Sequence, residues 1–283
     1  MMKLLFFIFC FFSLCVLSCQ SQNKPINVQT TELAPNDSVQ PIKQAPVQSD
    51  TLTSFPFLKG KNDIQMSAPD SLTIYGVLYH QSPQKPIVVL CHQAGSSKDE
   101  YAEIAPQLNA LGFNCLAIDQ RSGGNRLGGV NQTATAAEKK GKDTDYLAAE
   151  QDITTAVAFA SGIYNKPVIL LGSSYSASLA LKIAKSNPEV SAVIAFSPGE
   201  YFSNRSETFV LQQMKGLDKP LFITSSKSEA PLCKAFFNAA TSTNKMQFIP
   251  GGEGIHGARA LWKSTPDNAE YWKELKDFLK KLQ

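Results

Sequence analysis

Histidine is scarce in this chain. His80, His92 and His256 are the only three in 283 residues, so chemistry that needs an imidazole has few places to occur. Cysteine is nearly as sparse. Cys10, Cys15 and Cys19 crowd the start, leaving Cys91, Cys115 and Cys233 for the remainder. An odd number without short spacings argues against a disulfide framework and against a zinc site. These three read as small buried hydrophobes, with room for one disulfide if Cys91 and Cys115 fall on neighbouring strands. Charge of one sign is also lacking. The formal net charge is +3, with no cluster of Lys and Arg, so nucleic acid is excluded as the expected partner. The apolar run from Leu4 to Leu17 covers about fourteen residues, short for a membrane span.

That run follows Lys3 and leads into Ser18-Cys19. A basic start, a short apolar stretch and a small residue at the end describe a secretory signal. Val16-Leu17-Ser18-Cys19 resembles a bacterial lipobox, which implies that Cys19 is lipidated and becomes the mature N-terminus. Residues 1–19 are therefore expected to be a lipoprotein signal peptide. From Gln20 to about Thr53 the chain is poor in large apolar residues and rich in Gln, Pro, Thr, Ser and Asn. Such a stretch cannot bury enough surface to fold and reads as a disordered tether over 20–53, roughly 30 Å in mean span. The expected address is the bacterial cell envelope, lipid-anchored to a membrane through Cys19 and facing the periplasm.

Residues 54–283 alternate strand and helix signals. Short apolar runs mark strands at Asp63–Ala68, Leu72–Tyr79, Ile87–Cys91, Phe113–Ile118, Pro167–Leu171, Val190–Phe196, Pro220–Thr224 and Lys245–Ile249. Helical spacing occurs over Tyr101–Leu111, closed by Gly112, and over Tyr146–Ser161, closed by Gly162. It recurs at Ala177–Lys185, Leu232–Ala240 and Asn268–Leu282. This alternation predicts an α/β domain whose mostly parallel, eight-stranded sheet carries helices on both faces. Only about twenty residues, Glu200–Asp218, separate the sixth and seventh strands, which leaves no space for a large lid.

In an open parallel sheet, reactive residues gather beyond the carboxyl ends of the strands. Between the strand Pro167–Leu171 and its following helix lie only Gly172-Ser173-Ser174-Tyr175-Ser176. So short a reversal forces a tight turn that lifts Ser174 out of the sheet beside a helix N-terminus, as a nucleophile elbow does. A serine hydroxyl needs a base. His256 sits in the glycine-rich loop Pro250–Gly257 after the last strand and is the candidate, whereas His80 is expected on the surface. The base needs a carboxylate to fix its tautomer. Glu229, just after the seventh strand, is favoured, with Glu200 as the alternative. Asp218 precedes its strand and lies at the wrong end.

The order Ser, acid, His is that of α/β-hydrolases. From about Asp63 onward the chain resembles that superfamily, close to the lidless dienelactone-hydrolase and esterase type. The motifs carrying the resemblance are His92-Gln93-Ala94-Gly95-Ser96-Ser97, Asp119-Gln120-Arg121-Ser122-Gly123-Gly124, Gly172–Ser176 and Gly254-Ile255-His256-Gly257. Ser176 stands where the elbow often has a second Gly, which is expected to affect strand–helix packing, and Gln93 stands where a Gly often follows the loop His. The resemblance implies an oxyanion hole from the backbone N–H of Tyr175 and that of Gln93 or Ala94, with His92 structural. Arg121 or Arg126, in the loop Gln120–Gly129, is expected to meet an anionic substrate group. The expected function is a serine hydrolase cleaving an ester or related acyl bond of a small molecule, with no cofactor and no metal. A peptidase or amidase of the same fold, or a non-catalytic binding protein of the envelope, is the alternative.

Overall fold

The computed structural model describes residues 55–202 and 204–283. The expected signal peptide, Cys19 and the tether over 20–53 lie outside the described residues. Within them, eight strands make one sheet: β1 (Gly60–Ser67), β2 (Thr73–His80), β3 (Ile87–Cys91), β4 (Asn114–Ile118), β5 (Val168–Ser173), β6 (Val190–Phe196), β7 (Leu221–Thr224) and β8 (Lys245–Phe248). Their order across the sheet is β1-β2-β4-β3-β5-β6-β7-β8. β2 pairs antiparallel with β1 and with β4, and the remaining pairs are parallel. The helices are α1 (Ile104–Ala110), α2 (Gln132–Lys139), α3 (Glu150–Tyr164), α4 (Tyr175–Ser186), α5 (Phe209–Met214), α6 (Ala230–Ala239) and α7 (Asn268–Lys280).

Both sheet faces are covered, because the central strands are apolar at nearly every position. Along β3, Ile87, Val89 and Cys91 join the layer formed with α2 to α6, while Val88 and Leu90 join the layer formed with α1 and α7. This period of two separates the cysteines. Cys91 lies in one layer and Cys115 in the other, and their register partners are Ile118 and Val88. All three cysteines are buried free thiols, so the sequence's room for a Cys91–Cys115 disulfide is not used.

Three local expectations change. The stretch expected as one helix over Tyr101–Leu111 divides into a 3₁₀ turn, Lys98–Tyr101, and α1. The helix expected to stop at Gly162 runs through it to Tyr164. Asn165 ends it by adopting the left-handed conformation, φ 49° and ψ 44°, which a short polar side chain tolerates. His80, expected on the surface, is buried. Its ring stacks on Phe55 and its Nδ1 lies 2.8 Å from the Tyr164 hydroxyl.

Candidate active site

The turn from β5 into α4 is as tight as its sequence demands. Ser174 holds φ 60° and ψ −126°, a region costly for a non-glycine residue and common at functional turns. Gly172 is required by close approach, since a Cβ there would stand 2.4 Å from the Ser176 carbonyl oxygen. Ser176 is accommodated through its hydroxyl, which donates to the His92 carbonyl at 2.5 Å and accepts from Gln120 Nε2 at 2.8 Å. The departure from glycine therefore links the elbow to the loop after β3.

Four chain segments converge on Ser174. His256 Nε2 lies 2.8 Å from Ser174 Oγ, and His256 Nδ1 lies 2.5 Å from Glu229 Oε1. With a carboxylate at Nδ1, the proton belongs there, and Nε2 is left to accept from the serine hydroxyl. The other carboxylate oxygen, Glu229 Oε2, accepts from Ser197 Oγ and Ser226 Oγ, each at 2.8 Å, and from the Ser226 N–H. Burial pushes the Glu229 carboxyl up, yet the hydrogen bonds from His256, Ser197 and Ser226 outweigh it and draw it down to about 2. The loop bearing His256 is fastened from below. The Gly257 N–H donates to Ser197 Oγ at 3.0 Å, and the Ala258 N–H to Ser173 Oγ at 2.8 Å.

The remaining N–H groups are sorted by where their peptide planes point. The Gln93 carbonyl accepts from His92 Nδ1 at 2.8 Å and from the Ser96 N–H. In a trans peptide the next N–H points the opposite way, so the Ala94 N–H faces the side away from these partners. The Gln93 N–H is itself engaged, donating to Glu100 Oε2 at 2.8 Å. Gln93 is thus corrected as an oxyanion donor, and Ala94 with Tyr175 remains. His92 is structural. It is fully buried, its Nε2 accepts from the Gln120 N–H at 2.9 Å, and burial pushes its pKa down to about 4.

Two further expectations are corrected. The Glu200 carboxylate accepts from the Val210 and Leu211 N–H groups at the start of α5, at 2.7 and 2.9 Å, and so serves a helix end rather than His256. Arg121 is 1 % exposed. Its guanidinium is held by Asp152 and Asp70, with closest contacts of 2.8 Å to each, leaving no free edge for a substrate. It fastens the β1–β2 turn to α3.

Arg126 does reach the site. Its N–H donates to the Gly95 carbonyl at 2.9 Å, and its side chain lines a cavity of about 300 Å³ with Ala94, Ser174, His256 and Arg259. Arg259 was missed in the sequence, although it follows His256 by one 3₁₀ turn. Its guanidinium lies over the Trp262 ring, 5.6 Å from the centroid, and its buried Nε has no partner among the described residues. Neither arginine forms an ion pair among the described residues, and no carboxylate lines this cavity. A hydroxyl, an imidazole and a fixed carboxylate in line can deprotonate a nucleophile, and backbone N–H groups beside them can stabilise an oxyanion.

A family model described as serine aminopeptidase, S33, matches residues 82–245. Solved structures share the fold. An esterase of Pyrococcus furiosus is 18 % identical, with 79 % of this chain and 93 % of that chain covered and a TM-score of 0.57. A dienelactone hydrolase from Anabaena variabilis is 16 % identical over 78 % and 96 %, also at 0.57. A soluble variant of monoglyceride lipase from Saccharomyces cerevisiae is 12 % identical over 81 % and 98 %, at 0.57.

Proposed function

As the chain belongs to the serine aminopeptidase S33 family of α/β-hydrolases, we propose that it hydrolyses a carboxylic ester through Ser174, His256 and Glu229. The observation that carries this reading is the unbroken hydrogen-bonded run from Glu229 through His256 to Ser174. Ser174 Oγ attacks the carbonyl carbon while His256 Nε2 takes its proton. The carbonyl oxygen becomes an oxyanion between the N–H groups of Ala94 and Tyr175. Collapse breaks the ester bond, and His256 returns the proton to the leaving alcohol. Water then attacks the acyl-enzyme with His256 again as base, releasing the acid and restoring Ser174. Glu229 keeps the imidazole in the required tautomer and stabilises its charged form.

The cavity chemistry favours a small ester that carries an anionic group. Arg126 and Arg259 offer two guanidiniums, which match carboxylate or phosphate geometry. An aminopeptidase would have to seat the substrate's free ammonium, and here that charge would meet two cations and no carboxylate. Matched esters with and without a carboxylate, together with aminoacyl amides, test both points. Fluorophosphonate labelling lost in S174A, and kcat lowered about 10⁴-fold in E229Q, are the expected results. In R126A and R259A, activity on the carboxylate-bearing ester should fall while the neutral ester is spared. Absence of labelling in folded protein would instead identify a binding protein, and equal loss on both esters would remove the anionic specificity.

A further inference from the structure

Glu100 has no part in the chemistry above, yet it is buried at the centre of the site's supporting layer. Its exposure is 0 %. It sits on the 3₁₀ turn Lys98–Tyr101, directly behind the loop that carries Ala94. A buried carboxylate is costly unless it is well partnered, and a packed apolar side chain is the usual occupant of such a position. Burial pushes the Glu100 carboxyl up, while the nearby Ser173 and Ser96 hydroxyls and the Arg259 charge favour its ionised form. Oε2 accepts the Gln93 N–H at 2.8 Å. Oε1 meets no partner at hydrogen-bond geometry among the described residues. The one hydrogen bond the carboxylate makes at full geometry therefore goes to the Gln93 N–H.

The turn that presents it is clamped. The Tyr101 hydroxyl donates to the Cys91 carbonyl at 2.7 Å, and Trp262 Nε1 donates to the Glu100 carbonyl at 2.8 Å. The Lys98 N–H donates to Asp119 Oδ1 at 2.8 Å. The carboxylate is therefore a fixed post. Two successive peptide units of the loop depend on posts of this kind. The unit containing the Gln93 N–H is held by Glu100 at one end and by the Ser176 hydroxyl on the His92 carbonyl at the other. The unit containing the Ala94 N–H is held only through the Gln93 carbonyl, by His92 and Ser96. Without Glu100 the first unit keeps a single anchor, the Ser176 hydroxyl, and its junction with the second unit loosens.

We propose that Glu100 is a positioning residue for the oxyanion loop: by holding the Gln93 N–H from behind, it aims the Ala94 N–H at the cavity beside Ser174. This rests on the serine-hydrolase reading. A donor aimed at an oxyanion acts in the transition state and not on bound substrate, so its misplacement lowers kcat and leaves KM nearly unchanged. The test compares E100Q, which keeps an acceptor for the Gln93 N–H, with E100L, which removes it. In E100L, kcat on an ester substrate should fall by about 10²-fold, the scale of losing one oxyanion donor, with KM within about twofold. In E100Q, kcat should stay within about threefold of wild type. Hydrogen exchange supplies an independent readout, with protection at the Gln93 N–H expected to be lost in E100L and kept in E100Q. If E100L does not fold, E100D serves: it keeps the charge but withdraws the carboxylate by one methylene, and should lose both kcat and protection. Full kcat in folded E100L or E100D, a kcat loss without loss of loop protection, or E100Q as impaired as E100L would each overturn the proposal. Failure of the wild-type enzyme to label at Ser174 would count against the hydrolase reading alone, because loop protection still reports whether Glu100 anchors the loop.

Discussion

At the residue scale, His92 and His256 show how position alone separates two imidazoles. His92 is neutral and enclosed, with a pKa near 4 in the folded protein against an ordinary 6.5. Between those values the unfolded chain binds the proton that the folded one refuses, so stability is complete above about pH 6.5 and falls as pH drops toward 4. The loss is on the order of 3 kcal/mol. Urea titrations from pH 7 to 4 should show this slope, flattened in H92Q, and equal slopes in the two proteins would remove His92 as its source. Glu229 acts in the same sense over a lower pH window. Its carboxyl is drawn to about 2 from 4.5, so its contribution is complete above the upper value and is lost as pH falls from there through the lower. Ser174 and His256 were legible in the sequence because a five-residue reversal and a glycine-rich loop constrain what they can do. Arg121 was misread because its partner Asp152 lies 31 residues away, and local sequence does not reveal a partner at that distance. Arg259 and Glu100 were missed although the groups they serve lie close by, His256 three residues before Arg259 and Gln93 seven before Glu100, because packing and not sequence decides which way a loop side chain turns.

At the element scale, the elbow between β5 and α4 is the least forgiving junction. A methyl at Gly172 would press on backbone atoms, the Ser176 carbonyl at 2.4 Å and the Ala177 nitrogen at 2.5 Å. Backbone cannot yield as a side chain does, so G172A should cost about 1–3 kcal/mol and swing Ser174 away from His256. Thermal unfolding together with fluorophosphonate labelling checks this, and unchanged values for both would show that the turn has slack. Strand runs were readable because β3 to β7 are apolar at nearly every position. Helices with little apolar content were not. α2 buries only Thr133, Ala134 and Ala137, a stripe too modest to distinguish from loop sequence. α3 passes its internal glycine because packing of Ile153, Ala156, Val157 and Ala160 outweighs the propensity of a single residue.

At the scale of the whole molecule, sequence pattern was enough for the architecture, since eight apolar runs separated by helical stretches leave few alternatives to a covered parallel sheet. The lipid anchor proposed at Cys19 is a separate matter of address. C19S should move the protein from the membrane fraction to the soluble one without altering turnover of a soluble ester, and membrane association that survives the change would remove the anchor. The order of the sheet carries one more implication. Ser174 follows β5, Ser197 ends β6, Glu229 follows β7 and His256 follows β8. A nascent chain that has emerged only as far as the serine therefore holds a dormant alcohol with nothing to awaken it. On the proposed triad, reactivity waits for the closing strand to dock.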